Sequence, residues 1–217
     1  MTARDFSTIH KRLELLVESG HADEVLELGL ELLDRSAELI EHYDRDGEVS
    51  MELTPCMDVV LNAVGESSLS PSQQILWLID ASHNDPYDII YDVNRYLDKA
   101  KYDKPAWSEA ADVLLSRLCE LPPKKQEDFV PSHERQGVVT RALQALENSD
   151  REREIIPLLE REAPITNCYE LLVDRLVTAN RTEEAKKVAV TGVKKTLGVH
   201  AGIAWKLVEK LRELASA

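Results

Sequence analysis

LELLVESGHADEVLELGLELLDRSAELIEHYDRD, residues 13–46, is the stretch whose reading decides the fold. Leu13, Leu16 and Val17, with Ile9 before them, fall on one face of a helix that Ser7 or Thr8 can cap. Gly20 ends that helix by supplying the left-handed conformation favoured at a helix C-terminus. A second helix, from Ala22 to about Tyr43, carries Val25, Leu28, Leu32, Leu39 and Tyr43 near one stripe, and the Asp44-Arg45-Asp46-Gly47 cluster stops it. A fainter echo, YELLVDRLVTANRTEEAKKVAVTGVKK, occupies residues 169–195. Two helix–turn–helix units of one grammar predict an α-helical repeat scaffold, a class that acts by holding surfaces in place.

The rest of the chain agrees in type. Met51 to Val64 reads as a helix, with a turn over residues 65–68, and Ser70-Pro71-Ser72 opens a helix through Trp77 to Ala81. Asp85 as cap and Pro86 as first helical residue predict a helix over Tyr87 to Lys101. The next begins at Lys104-Pro105, runs through Trp107 and Leu118, and stops at Leu121-Pro122-Pro123. Five more are expected over His133–Leu146, Arg151–Glu162, Thr166–Ala179, Thr182–Leu197 and Ala201–Leu214. No segment alternates with period two, so strands are not expected. The prediction is an all-α fold of about ten helices, a right-handed stack of antiparallel helix pairs. It divides into an acidic N-terminal region (1–122), a joint (123–132) and C-terminal helical repeats (133–217), as two bodies or one continuous domain.

Charge is unevenly spread. Lys and Arg number 26 against 40 Asp and Glu, a formal net charge of −14. Residues 13–58 hold fourteen acids and two bases; residues 181–217 hold eight bases and four acids. Such a balance repels nucleic-acid phosphates on average, and it offers an acidic surface to a basic partner or to the basic end of a second copy. Three widely spaced cysteines argue against a disulfide framework and for a reducing compartment. No apolar run approaches the ~20 residues of a membrane helix, and the first residues have no apolar signal core. A soluble cytoplasmic protein is the expectation.

In residues 169–195, Tyr169, Leu172 and Leu176 supply a first-helix face, Asn180 takes the turn, and Ala185, Ala189 and Gly192 are small packing positions in the second helix, which Thr182 looks placed to cap. This resembles the tetratricopeptide pattern. The N-terminal unit has Gly20 well placed, but Val25 and Leu32 stand where small residues are wanted. Residues 5–122 also show an ordered set of features: the Gly20-His21-Ala22 turn, the acidic break at 44–47, the helix start Asp85-Pro86-Tyr87-Asp88, and a Trp107 helix closing on Leu121-Pro122. In that order they resemble the helical region that follows the zinc finger in bacterial SWIM zinc-finger proteins. The family's Cys-x-Cys and Cys-x-His ligands are absent. The resemblance therefore implies a helical interaction domain, stand-alone or a fragment of a larger zinc-finger protein, and no metal ligand.

Chemistry-bearing patterns are sparse. No Cys-x-x-Cys or His-x-x-x-His spacing offers a zinc site. Aligning Gly47 with the glycine of a calcium loop puts His42 first and Leu53 where the bidentate Glu belongs. Asp85, Asp88 and Asp92 line one side of the expected helix start, where acids complement the helix dipole. There is no nucleophile elbow, P-loop or dinucleotide fingerprint. The residues therefore predict no enzyme, cofactor or metal, and a scaffold that binds a protein or peptide. Its contacts are expected at Glu27, Glu31, Asp34 and Glu38 on the acidic helix and at Tyr87, Tyr91 and Trp107 as aromatic anchors. The alternative is nucleic-acid association through Lys186, Lys187, Lys194, Lys195, Lys206 and Lys210.

Overall fold

The computed structural model describes residues 3–43, 47–122 and 133–216. Among them are eleven α-helices and no strand, so the fold is all-α. Two compact units divide the chain, residues 1–110 and 111–217. The joint expected at 123–132 and the break at 44–46 lie outside the described residues.

The N-terminal unit holds α1 (Ala3–Glu18), α2 (Ala22–Tyr43), α3 (Glu48–Ala63), α4 (Pro71–His83), α5 (Asn94–Ala100) and the first residues of α6 (Lys104–Glu120). Ser7 and Thr8 lie inside α1 and do not cap it. Gly20, at φ +81°, closes α1 with a Schellman pair: its N–H donates to Val17 O at 2.9 Å, and His21 N–H donates to Leu16 O at 3.0 Å. The buried face of α2 is Ala22, Val25, Leu26, Gly29, Leu33 and Ser36, one residue round from the expected stripe, and Leu28 is exposed. Gly29 sets that rotation. A Cβ there would lie 2.3 Å from Val60 Cγ1, so α2 approaches α3 along a line only glycine permits.

The helix start expected at Ser70-Pro71-Ser72 is the head of α4, where Ser70 and Gln73 form a capping box and Pro71 sits in the first turn. The helix expected over Tyr87–Lys101 is not formed before Asn94. Asp85, buried, turns its carboxylate inward to accept the N–H groups of Ile90 at 2.5 Å and Tyr87 at 3.4 Å. Asp88 is left-handed at φ +53°, which interrupts any helix there. Asp92 then accepts the Asn94 N–H at 3.0 Å as α5 begins.

The C-terminal unit comprises the rest of α6, α7 (His133–Asn148), α8 (Ile155–Thr166), α9 (Tyr169–Thr178), α10 (Thr182–Thr196) and α11 (Ala201–Ser216). From α8 onward each helix packs on the next in chain order. Asn180, at φ +58°, repeats the hydrogen bonds of Gly20: its N–H donates to Val177 O at 2.9 Å and Arg181 N–H to Leu176 O at 2.8 Å. The echo between the two sequence units is thus the same turn. Thr182 is the first helical residue of α10 and not its cap; Arg181 takes the cap position and pairs with Glu184 at 2.8 Å. Ala185, Ala189 and Gly192 are buried, and a Cβ at Gly192 would lie 2.7 Å from Leu207 Cδ1 and 2.9 Å from Tyr169 Cβ. Glu162 of α8 is fully buried and takes a bidentate contact from Arg135 of α7, at 2.7 and 3.0 Å, and a further one from Arg161 at 2.9 Å.

Candidate functional site

Glu27, Glu31, Asp34 and Glu38 all lie on the exposed face of α2, at helical spacing. Arg35 bonds Glu31 at 2.5 Å. Leu28 and Leu30, 47% and 42% exposed, flank the acids, because the inward face is centred on Gly29. This surface is therefore acidic with apolar edges.

The aromatic residues lie elsewhere. Val60 on one side of α3 meets Gly29 of α2. From another side of α3, Asp58 and Asn62 reach Tyr96 and Lys99 of α5. Between α3 and the segment leading into α5 is a cleft of about 330 Å³. Met57, Leu61, Ile89 and Ile90 give it apolar walls and are themselves buried. Asp58, Asp92, Arg95 and Tyr91 supply its polar lining, and Tyr91 is 93% exposed. Tyr87 is 37% exposed. Trp107, expected as an anchor, is 5% exposed and sits edge-to-face with Tyr102 at 6.4 Å; it is a core residue and presents no surface to a partner.

The Tyr96 hydroxyl donates to the Asp58 carboxylate. Burial, then that hydrogen bond and the charge behind it, push the phenol well above its ordinary range. Tyr96 is thus a fixed donor rather than a base, and it holds Asp58 in place. The Arg95 guanidinium lies 5.7 Å from the centre of the Tyr96 ring. Sequence reasoning singled out Tyr91 but missed Asp58 and Arg95, which the packing of α5 on α3 brings together with Tyr96. Asp85 and Asp92, two of the three acids expected along one side of a helix start, each accept a backbone N–H, from Ile90 and Asn94.

Among the described residues no three His, Cys, Asp or Glu side chains are grouped to hold a metal ion. Cys56 is buried and its thiol is pushed up to about 11, mainly by burial; burial also raises Cys168. In the C-terminal unit a groove of about 520 Å³ is lined by Arg153 and Arg161 but also by Asp112 and Glu154, so it mixes signs. Lys186, Lys206 and Lys210 are held by Glu183, Glu170 and Asp174, while Lys187, Lys194 and Lys195 are exposed. Trp205 is 58% exposed, with Arg212 stacked 5.9 Å from its ring centre. Among the described residues no helix is long and apolar enough to cross a membrane.

No family model matches the chain, and no match was found among curated proteins or solved structures. The likenesses to SWIM-associated helices and to tetratricopeptide units thus rest on the residues quoted for them.

Proposed function

We propose that this chain is a non-catalytic helical interaction module whose N-terminal unit receives a basic segment of a partner protein. The observation that carries this is the cleft at Asp58, Tyr91 and Asp92, set in a strongly acidic unit. Residues 1–110 contain nine Lys and Arg against 23 Asp and Glu, while residues 111–217 contain seventeen of each. The whole formal charge of −14 thus belongs to the unit that has the cleft. Apolar walls supply burial, the carboxylates select charge, and Tyr91 offers an aromatic surface that loses little rotamer freedom on binding. Three free cysteines support a reducing, cytoplasmic setting.

The test is a titration of the full chain with a Lys/Leu-rich peptide and with its Glu/Leu-rich counterpart. Binding of the basic peptide only, weakened by salt and by Tyr91→Ala with Asp58→Asn, is expected. Equal response to both peptides, or to neither, overturns the reading.

A second reading, nucleic-acid association, is supported by the exposure of Lys187, Lys194 and Lys195. Ion pairing of their neighbours and the neutral balance of the C-terminal unit weaken it. Absence of retardation in a low-salt gel shift disposes of it. Homo-oligomer formation, through the acidic α2 face and the α10 lysines, would show as a mass that rises with concentration in light scattering.

A further inference from the structure

A second cavity, of about 150 Å³, adjoins the first, and Leu61 and Tyr96 line both. The two differ in charge. Asp58 and Asp92 outnumber Arg95 in the larger one, whereas Lys99 is the one ionisable side chain of formal charge at neutral pH lining the smaller. The two poles are tied to successive turns of α3. Asp58 accepts the Tyr96 hydroxyl, and Asn62, four residues on, accepts Lys99 Nζ at 2.7 Å. Four residues of helix span about 6 Å, so Asp58 and Asn62, the α3 residues that tie down the two poles, are set roughly that far apart along the helix.

We propose that the groove is dipolar and takes an extended peptide bearing a basic residue and, two positions away, a carboxylate side chain. This rests on the reading of the α3 cleft as a peptide site and specifies what the peptide must carry. Residues two apart on an extended strand point to the same side and are separated by about 6.6 Å, which matches the two poles. A short carboxylate reaching Lys99 in so small a cavity has to start from a backbone lying close over Leu61 and Tyr96. A flat strand meets that condition and a helix about 10 Å wide does not. The basic residue enters between Asp58 and Asp92, with its aliphatic stem along Met57 and Ile90.

The experiment titrates the isotope-labelled full chain with blocked peptides in a Gly/Ser context, reading the Leu61 and Tyr96 amide resonances. The peptides are Lys-Ala-Glu, Lys-Ala-Ala and Lys-Ala-Ala-Ala-Glu. Lys-Ala-Glu is expected to bind roughly threefold more tightly than Lys-Ala-Ala, the scale of one exposed ion pair. Lys99→Gln, an exposed position, should erase that threefold, while Asp58→Asn weakens both peptides. Equal affinities in the parent chain, an advantage that survives Lys99→Gln, or tighter binding of the longer spacing each overturn the dipolar groove. If Lys-Ala-Ala binds as well as Lys-Ala-Glu, the basic-peptide reading stands and only this inference fails. If no Lys peptide binds, both fail.

Discussion

Hydroxyls inside these helices have a common habit: Thr54, Thr166 and Thr196 each donate to the carbonyl one turn back, at 2.9, 3.0 and 2.8 Å. Ser36 of α2 is 1% exposed, and its hydroxyl has no partner among the described residues. An unsatisfied buried hydroxyl is unfavourable, and alanine is the better helix former. Ser36→Ala should therefore raise stability by about 1 kcal/mol in urea denaturation; a loss of stability would show that the hydroxyl has a role the geometry does not reveal. Glu162 is the opposite case. Its buried carboxylate takes contacts from both Arg135 and Arg161, at 2.7 and 2.9 Å, so Glu162→Gln should lower stability by about 3 kcal/mol, and a change below 1 kcal/mol would count against a desolvated ion-pair cluster. Cys56 supplies a reactivity prediction. With its thiol held near 11, and Cys168 also raised, the native chain should show one fast-reacting thiol at neutral pH, Cys119, and three after unfolding. The sign of the linkage follows: a raised thiol favours the folded state's proton, so stability should fall as pH rises past about 9 toward 11. The roles of Ser36 and Glu162 were not legible in the sequence. Ser36 and Glu162 sit in helices with many polar neighbours, and only packing separates a surface acid from a buried one.

At the scale of elements, α2 shows both what patterning gives and where it stops. Its bounds and its turn at Gly20 follow from the sequence, because glycine at a left-handed helix end is a local requirement. Its rotation does not, because the leucines at 26, 28, 30, 32 and 33 fit several stripes. The contact between Gly29 and Val60 chooses among them. Gly29→Ala sets helix propensity, which favours alanine by about 1 kcal/mol, against a steric conflict at 2.3 Å that no side-chain torsion of the new methyl can relieve. The conflict should win, with a net loss of about 1–2 kcal/mol. Adding Val60→Ala to the variant should recover part of the loss, whereas simple additivity of the two substitutions would show that the helices do not meet there. The missing helix at 87–93 has the same moral. Asp85 followed by Pro86 is a valid helix start by local rules, yet the same carboxylate serves Ile90 N–H once the segment is packed. That alternative is invisible to periodicity. The candidate cleft depends on it, since a helix beginning at Tyr87 would place Ile89, Ile90 and Tyr91 on different faces.

For the whole molecule, charge is the property that sets the two units apart. The sequence shows an acidic stretch near one end and a basic one near the other, but the basic end is offset by acids earlier in the same unit, and several of its lysines are ion-paired. What remains is an N-terminal unit with 23 acids and nine bases beside a unit in exact formal balance. Like charges spread over one small body destabilise its folded form through self-repulsion, and salt relieves this by shortening the screening length from about 30 Å at 0.01 M to about 3 Å at 1 M. In the balanced unit salt acts mainly on ion pairs such as Arg181–Glu184 and Lys186–Glu183, which it weakens. Raising salt from about 0.02 M to 0.5 M should therefore slow hydrogen exchange of α2 and α3 amides by roughly tenfold, equivalent to about 1.4 kcal/mol. Amides of α9 and α10 should change little or exchange slightly faster. Equal slowing in both units would mean that salt acts through general hydrophobic strengthening and that the acidic surface is not under strain. Relief of the same repulsion by a bound basic peptide would give a matching pattern at low salt, protection gained in α2 and α3 without change in α9 and α10. That outcome would link the charge of the N-terminal unit to its partner, because the ligand would then supply the counter-charge that the fold itself leaves out.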